Sequence, residues 1–238
     1  FAATPAFTGD DRRFFGAFDL IVSWLHDPDR HVETNLRTLS NATIACASPS
    51  VTDRHAGDTL LDPLRRLALP LPDPSAFRLR LPGHVLGQGR RLAAGFGATV
   101  AAIHPGSGSA RKNWPTRNFI TTADHIEQET RLTPVFILGE ADEALAVALE
   151  GRRLIRNATL EEVAGFLCSS AIYLGNDSGI THLAAALGTP TVALFGPSDP
   201  TLWAPRGPHV RSLHAAGPDW AGLTPAAVLE GALKALNP

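Results

Sequence analysis

The stretch Tyr173–Pro190, YLGNDSGITHLAAALGTP, decides how the rest of the chain is read. It opens in a short apolar run, Ala171–Leu174, that predicts a buried strand. Ile180–Leu187 predicts a helix, which Gly188 stops. Between them lies GNDSG. A strand–turn–helix of this kind gathers the free N–H groups of the helix start, and the positive end of its dipole, at the turn; both favour an anion. Asp177 or Ser178 can cap the helix, and Gly179 lets a phosphate come close to the backbone. A capped helix with no ligand accounts for Asp177 or Ser178. It does not account for Asn176, Gly179, Thr181 and His182 crowded beside them, so the turn reads as an anion site. His182 taken singly does not decide the matter, since a helix histidine is often only hydrogen-bonded.

Outward from this segment the pattern repeats. Thr191–Phe195 (TVALF) predicts the next strand. Upstream, Thr99–Ile103 predicts a strand, Thr116–Thr130 a helix with Phe119, Ile120, Ala123 and Ile126 on one face, and Pro134–Leu138 a strand. Ala141–Leu149 predicts a helix stopped by Gly151, and Leu154–Arg156 a short strand. Thr159 and Glu162 form a capping box that opens a helix over Leu160–Cys168. Thr224 caps a last helix with Pro225 at its first position, running to Leu236. Strands alternating with helices through short turns predict an α/β fold: a parallel sheet with helices on both faces.

Ligands of an open parallel sheet bind at the carboxyl ends of its strands. Two further turns lie there. In His104–Pro115 (HPGSGSARKNWP), Ser107, Gly108 and Ser109 can form a nest of N–H donors for phosphate, and Lys112 adds a mobile positive charge. Lys112 and Lys234 are the only lysines among 21 cationic residues, so a lysine inside a glycine-rich turn is informative. The Walker A spacing is absent, and taken alone the turn is as well explained as a plain loop. Trp114 and Pro115 read as packing residues that fix it. In Gly139–Glu143, carboxylates after a strand can bind ribose hydroxyls; taken alone, acids in the first turn of a helix explain that turn better.

The first 95 or so residues are α/β but less regular. Phe18–Trp24 and Asn41–Ala47 predict strands. Asp58–Leu69 predicts a helix with Pro63 in its first turn. Pro70, Pro72, Pro74 and Pro82 mark a linker. No strand and glycine-rich turn precede Phe18, so this half-domain is expected to be incomplete. The chain of 238 residues contains no methionine, which predicts that residues precede Phe1 in the gene product.

Composition sets limits. Apolar residues make up 44% and charged residues 18%, with a formal net charge of −2, so no basic field argues for nucleic acid. No apolar run approaches the roughly 20 residues needed to span a bilayer, and the first residues do not form a signal peptide. Cys46 and Cys168 are expected to be buried free thiols in a reducing compartment. No zinc-ligand spacing, D-x-D motif or G-x-S-x-G elbow is present. Asp219 and Trp220 read as a surface turn.

In combination and order, H-P-G-S-G-S (104–109), K-N-W-P (112–115), G-N-D-S-G-I-T-H-L-A-A-A-L-G-T-P (175–190) and F-G-P-S-D-P (195–200) resemble glycosyltransferase family 9, the ADP-heptose:lipopolysaccharide heptosyltransferases. The resemblance covers roughly Thr99–Pro205. It implies GT-B architecture, two Rossmann-like domains facing a cleft. Here that gives an incomplete N-terminal, acceptor-side domain with its linker (1–95) and a C-terminal nucleotide-sugar-binding domain (96–238). By resemblance, Lys112 would contact the diphosphate and Glu143 the ribose. Asp177, Ser178 and Gly179 would lie against the diphosphate-sugar with His182 nearby, and Ala158 and Thr159 would border the adenine. The family inverts the anomeric centre without a metal. Its base is an aspartate in a G-D-x-x-x-x-x-P motif after the first strand; Gly9 and Asp10 do not fit it, so no base is assigned.

The expected function is therefore transfer of a sugar, heptose from ADP-heptose, to a lipopolysaccharide-core-type acceptor. Lys112 and Asp177 are the catalytic candidates. Ser107, Gly108, Ser109, Glu143, Thr159, Asn176, Ser178, Gly179 and His182 are the further donor-binding candidates. No cofactor and no metal are expected. The expected location is the cytoplasm, with peripheral contact at the inner membrane. Without its base, the fragment as given is expected to be inactive. A non-catalytic nucleotide-binding or scaffold protein on the same fold is the rival reading. An epimerase of this shape would need acid/base residues in both domains, and no such pair is visible.

Overall fold

The structure is a computed structural model and describes residues 6–71, 73, 78–97, 99–217 and 220–237. By its internal contacts the chain divides into two compact units, 1–72 and 73–238. In the first unit, helix α1 (Gly9–Phe15) opens with a capping box between Thr8 and Asp11. Strand β1 (Leu20–Ser23) pairs in parallel with β2 (Thr43–Cys46), in register Leu20 with Thr43. Helix α2 (His31–Leu39) connects them and buries Val32, Leu36 and Leu39. Helix α3 (Ala56–Arg66) follows, with Nδ1 of His55 accepting the Gly57 N–H at its start. Because that cap sets the start at Ala56, Pro63 lies inside the helix rather than in its first turn. A proline there removes one backbone hydrogen bond.

In the second unit the apolar runs become strands buried on both faces, as parallel sheets require. Helix α4 (Gly83–Ala94) precedes β3 (Val100–His104). Then come α5 (Thr116–Glu129), β4 (Thr133–Leu138), a one-turn α6 (Glu143–Ala146) between two 3₁₀ turns, and β5 (Leu154–Arg156). The chain continues through α7 (Leu160–Cys168), β6 (Ile172–Asn176), α8 (Gly179–Leu187), β7 (Thr191–Phe195), α9 (Pro200–Trp203), β8 (Val210–His214) and α10 (Pro225–Leu236). The six strands are parallel in the order β5-β4-β3-β6-β7-β8. The chain winds outward from β3 in one direction and then, from β6, in the other. This is the doubly wound order, and its switch point lies between β3 and β6.

Period-two alternation splits the strand side chains between two cores. Ala101, Ile103, Phe136, Leu138, Ile172, Leu174, Val192 and Leu194 join residues of α5 and α10. Val100, Ala102, Val135, Ile137 and Tyr173 join residues of α4, α7 and α8. Two glycines let α4 approach α7 closely: a Cβ on Gly89 would stand 1.9 Å from the Gly165 carbonyl oxygen. This packing explains why 83–94 belongs to the second unit, so that the observed division falls at 72/73 and not at 95/96.

Three further expectations need correction or restriction. Cys168, the last residue of α7, is exposed and Cys46 only half-buried, though both are free. Trp220 is not in a surface turn: it is 9% exposed, and its indole occupies the space that a Cβ on Gly196 would fill. Pro72, Pro74 and Asp219 lie outside the described residues. Among the described residues, no helix is long and apolar enough to cross a membrane.

Candidate functional site

The switch point brings together the turns after β3 and β6. His104 ends β3 and Asn176 ends β6, and Ile103 pairs with Leu174 just below them. Asn176 is fully buried. Its Oδ1 accepts the Trp114 N–H at 3.0 Å and its Nδ2 donates to the Pro105 carbonyl at 2.7 Å. One side-chain amide thus fixes both ends of the 104–115 turn, and its burial places Asn176 behind the turns, without a free face for a ligand. Trp114 anchors the same turn as expected, donating Nε1–H to the Leu223 carbonyl and standing edge-on to Phe119 with centroids 5.0 Å apart.

In front of this scaffold lies a charged cluster. The Asp177 N–H is held by the Leu194 carbonyl. Its Oδ2 accepts from Lys112 Nζ at 2.6 Å and from Ser198 Oγ at 2.8 Å, while Nε2 of His182 lies 4.0 Å from Oδ1. The Asp177 side chain is 7% exposed and that of Lys112 38%. A carboxylate so deeply placed must be paired, and Lys112 pairs it while still reaching solvent. Sequence reading listed Lys112, Asp177 and His182; it missed Ser198, which stood unremarked in F-G-P-S-D-P.

Helix α8 begins beside the cluster. Ser178, not Asp177, is its N-cap, with extended backbone and Oγ accepting the Thr181 N–H at 3.4 Å. The N–H groups of Gly179 and Ile180, at the head of the helix, have no intrahelical acceptor. A Cβ on Gly179 would meet nothing within 4 Å. The head of the helix is therefore open to a group approaching its backbone.

The remaining candidates are distributed along the same sheet edge. The Ser107 hydroxyl lies 2.6 Å from Asn113 Oδ1 and 2.8 Å from the Ser109 carbonyl, so it braces its own loop; Gly108 has open space where a Cβ would project. After β4, Glu143 is engaged by Arg156 and by Asn157 Nδ2, the latter at 3.3 Å. After β5, Thr159 and Glu162 form the expected capping box: Thr159 Oγ1 accepts the Glu162 N–H at 3.2 Å, and the Thr159 N–H donates to the Glu162 carboxylate at 2.8 Å. The acid that turns inward is Asp142, which sequence reading did not single out. It is 8% exposed and accepts from the Gly139 N–H at 3.0 Å and from His104 Nε2 at 3.2 Å. Burial pushes its carboxyl up, but the hydrogen bonds from His104 and Gly139 outweigh that and hold it below its ordinary value. The inward turn breaks the predicted 141–149 helix into 3₁₀ and α segments. Among the described residues, no cluster of three or more His, Cys, Asp or Glu side chains is placed to hold a metal ion.

A positive side chain, an open helix N-terminus and small-residue turns converge at the switch point. That arrangement can hold a di-anionic group by charge and by backbone donors. The family model described as glycosyltransferase family 9 (heptosyltransferase) matches residues 81–219. Lipopolysaccharide heptosyltransferase 2 of Salmonella typhimurium is 31% identical over 103 residues, 40% of this chain and 30% of that protein. Two solved structures share the fold. A glycosyltransferase family 9 protein of Veillonella parvula superposes with a TM-score of 0.76 at 20% identity, over 94% of this chain and 75% of that one. The ADP-heptose lps heptosyltransferase II of E. coli superposes with a TM-score of 0.69 at 20% identity, over 96% of this chain and 80% of that one. The stretch matched in the curated relative is thus less than a third of that protein's length.

Proposed function

The chain belongs to glycosyltransferase family 9, the heptosyltransferase family, and from that membership we propose that its second unit holds the nucleotide-sugar donor of a glycosyl transfer. The observation that carries the reading is the convergence of Lys112 and the open head of α8 at the switch point between β3 and β6. The proposed donor is ADP-heptose, the sugar nucleotide named for the E. coli structure. The proposed acceptor is a lipopolysaccharide-core-type glycan, as the name of the Salmonella relative indicates. The proposed location is the cytoplasmic face of a membrane, by peripheral contact.

In this reading the diphosphate lies over Gly179, where its oxygens take the Gly179 and Ile180 N–H groups and the Lys112 ammonium. Cleavage of the sugar–phosphate bond loads charge onto the departing diphosphate. Preformed donors stabilise that charge at the moment it develops, without a metal. Asp177 keeps Lys112 aimed at the site before the donor arrives, and Ser198 fixes Asp177. Glu143 would meet the ribose, and Ala158 and Thr159 would border the base. Since Glu143 is engaged with Arg156, a ribose would share or displace that partner. The hydroxyl of the acceptor needs a base, and none is assigned in this chain.

Titration calorimetry of this chain with ADP and with ADP-heptose tests the proposal. Binding that is weakened about tenfold or more by Lys112→Ala supports it, since a charge-assisted hydrogen bond contributes roughly 1.5–3 kcal/mol. Binding indifferent to Lys112 would remove the donor site from this turn.

A further inference from the structure

Behind the head of α8 runs a polar chain, buried except at the half-buried Ser178, that the proposed reaction does not use. Asp142 Oδ2 lies 3.2 Å from His104 Nε2, and His104 Nδ1 lies 3.4 Å from Ser178 Oγ. Ser178 Oγ lies 3.2 Å from Thr181 Oγ1, which donates to the Asn176 carbonyl and lies 2.9 Å from the Tyr173 hydroxyl. His104 is 6% exposed, and Thr181 and Tyr173 are fully buried. The chain joins all three turns of the site through side chains from β3, the β4 turn and α8.

The direction of its protons follows from the one member that has none to give. Asp142 is ionised in the neutral range, since its carboxyl is held below the ordinary carboxylate value. The proton between it and the imidazole therefore sits on His104 Nε2. With that proton on Nε2 and no second proton on the ring, Nδ1 carries a lone pair. Such a lone pair can take the Ser178 proton across 3.4 Å, while the Ser178 oxygen takes the Thr181 N–H. At the far end the Thr181 proton goes to the Asn176 carbonyl, so Tyr173 is the donor to Thr181. In that arrangement every hydroxyl of the chain is committed within the protein.

We infer that His104 is a positioning residue of the donor site. Its ring, fixed between Asp142 and Ser178, takes up the Ser178 hydroxyl and leaves the Gly179 and Ile180 N–H groups as the donors that the head of α8 presents to a diphosphate. The inference rests on the donor-site reading above. It gives Ser178 a different part from the one its place in the motif implies. Ser178 caps and aims the helix from behind and does not itself donate to the ligand.

Two measurements on this chain test it. Long-range ¹H–¹⁵N correlation of the imidazoles, which needs no nucleotide, should show His104 protonated at Nε2 and bare at Nδ1; a proton resident on Nδ1 at neutral pH would overturn the inference. ADP affinity should then be measured for His104→Ala, Ser178→Ala, their double variant and His104→Asn, each checked for native circular dichroism. Loss of a helix cap predicts about a five- to tenfold weakening for each alanine variant. Because the two act as one unit, the double variant should be no weaker than the weaker single. His104→Asn, whose amide oxygen can take the Ser178 proton, should recover most of the loss. Weakening that multiplies in the double variant, to about 25- to 100-fold, would show that His104 does not act through Ser178. No recovery by His104→Asn would likewise count against it. Failure of the unsubstituted chain to bind ADP would overturn the donor-site reading instead, and the imidazole spectrum would still decide the proton arrangement.

Discussion

The ammonium of Lys112 lies 2.6 Å from Oδ2 of Asp177, a residue 65 positions further along the chain. The pair crosses the switch point of the sheet, joining the turn after β3 to the turn after β6. Its two ends differ: Asp177 is buried and Lys112 is partly in solvent. Removing the lysine leaves a buried carboxylate with Ser198 as its remaining close donor. Lys112→Ala should therefore destabilise the second unit by about 1 kcal/mol, screened by the exposure of the lysine. Lys112→Arg should keep the stability and lose part of any ADP affinity, since the guanidinium is a different shape of donor. Thermal melts of the variants beside their ADP isotherms check both statements.

Gly179 offers a cleaner separation of binding from stability. It is the first residue of α8, and a methyl there would meet no protein atom within 4 Å. Alanine is also the better helix former, by up to roughly 1 kcal/mol. Gly179→Ala should hold or raise the melting temperature while weakening ADP binding, because the methyl stands where the phosphate approaches. Unchanged ADP affinity in a folded Gly179→Ala protein would place the phosphate elsewhere.

The contact of α4 with α7 depends on Gly89. A Cβ there would lie 1.9 Å from the Gly165 carbonyl oxygen, which belongs to backbone that cannot move aside cheaply. Gly89→Ala should cost about 1–3 kcal/mol or more through overpacking. For a unit of this size that lowers the melting temperature by roughly 2–10 °C. Scanning calorimetry would check it; a melting temperature unchanged within a degree would contradict the close packing.

Asp142 gives a pH dependence with a definite sign. Its carboxyl is held below the ordinary value of 3.8 in the folded state. A depressed carboxylate stabilises the fold above the unfolded-state value, and that stabilisation is lost as pH falls through the folded value. Asp142→Asn should thus be less stable than the unsubstituted chain at pH 7, by about 1–3 kcal/mol. The gap should close as the pH drops below 3.8. Denaturant melts at pH 7, 5 and 3 measure it, and a gap that widened in acid would refute the ionised pairing with His104.

The donor half was legible because its signals are local. β3, β4, β6 and β7 are continuous apolar runs, and Thr159, Thr224 and Gly188 mark helix ends by their own chemistry. What stayed hidden depends on distant partners. β8, with Arg211 and Ser212 exposed at the edge of the sheet, has no apolar run to announce it. α1 buries no residue, and α4 carries glycines and arginines along much of its length. In the site, Glu143 and Asp142 look alike in sequence, and only the place of His104 decides which acid turns inward. Ser198 could not be matched to Asp177, 21 residues away, before β7 brought the two turns side by side. Asn176 was recognised as part of the motif, yet its position behind the turns follows from the burial of Trp114 and Pro105 around it.

The central claim is that a nucleotide diphosphate binds at the switch point between β3 and β6, against Lys112 and the head of α8. A crystal structure of this chain with ADP tests it most directly. The account predicts a phosphate within hydrogen-bonding reach, about 3 Å, of Lys112 Nζ and of the Gly179 and Ile180 N–H groups, with the Ser178 hydroxyl still turned toward His104. ADP bound away from α8, for example in the cavity of about 650 Å³ lined by Cys46, Thr59 and Arg66 in the first unit, would contradict it.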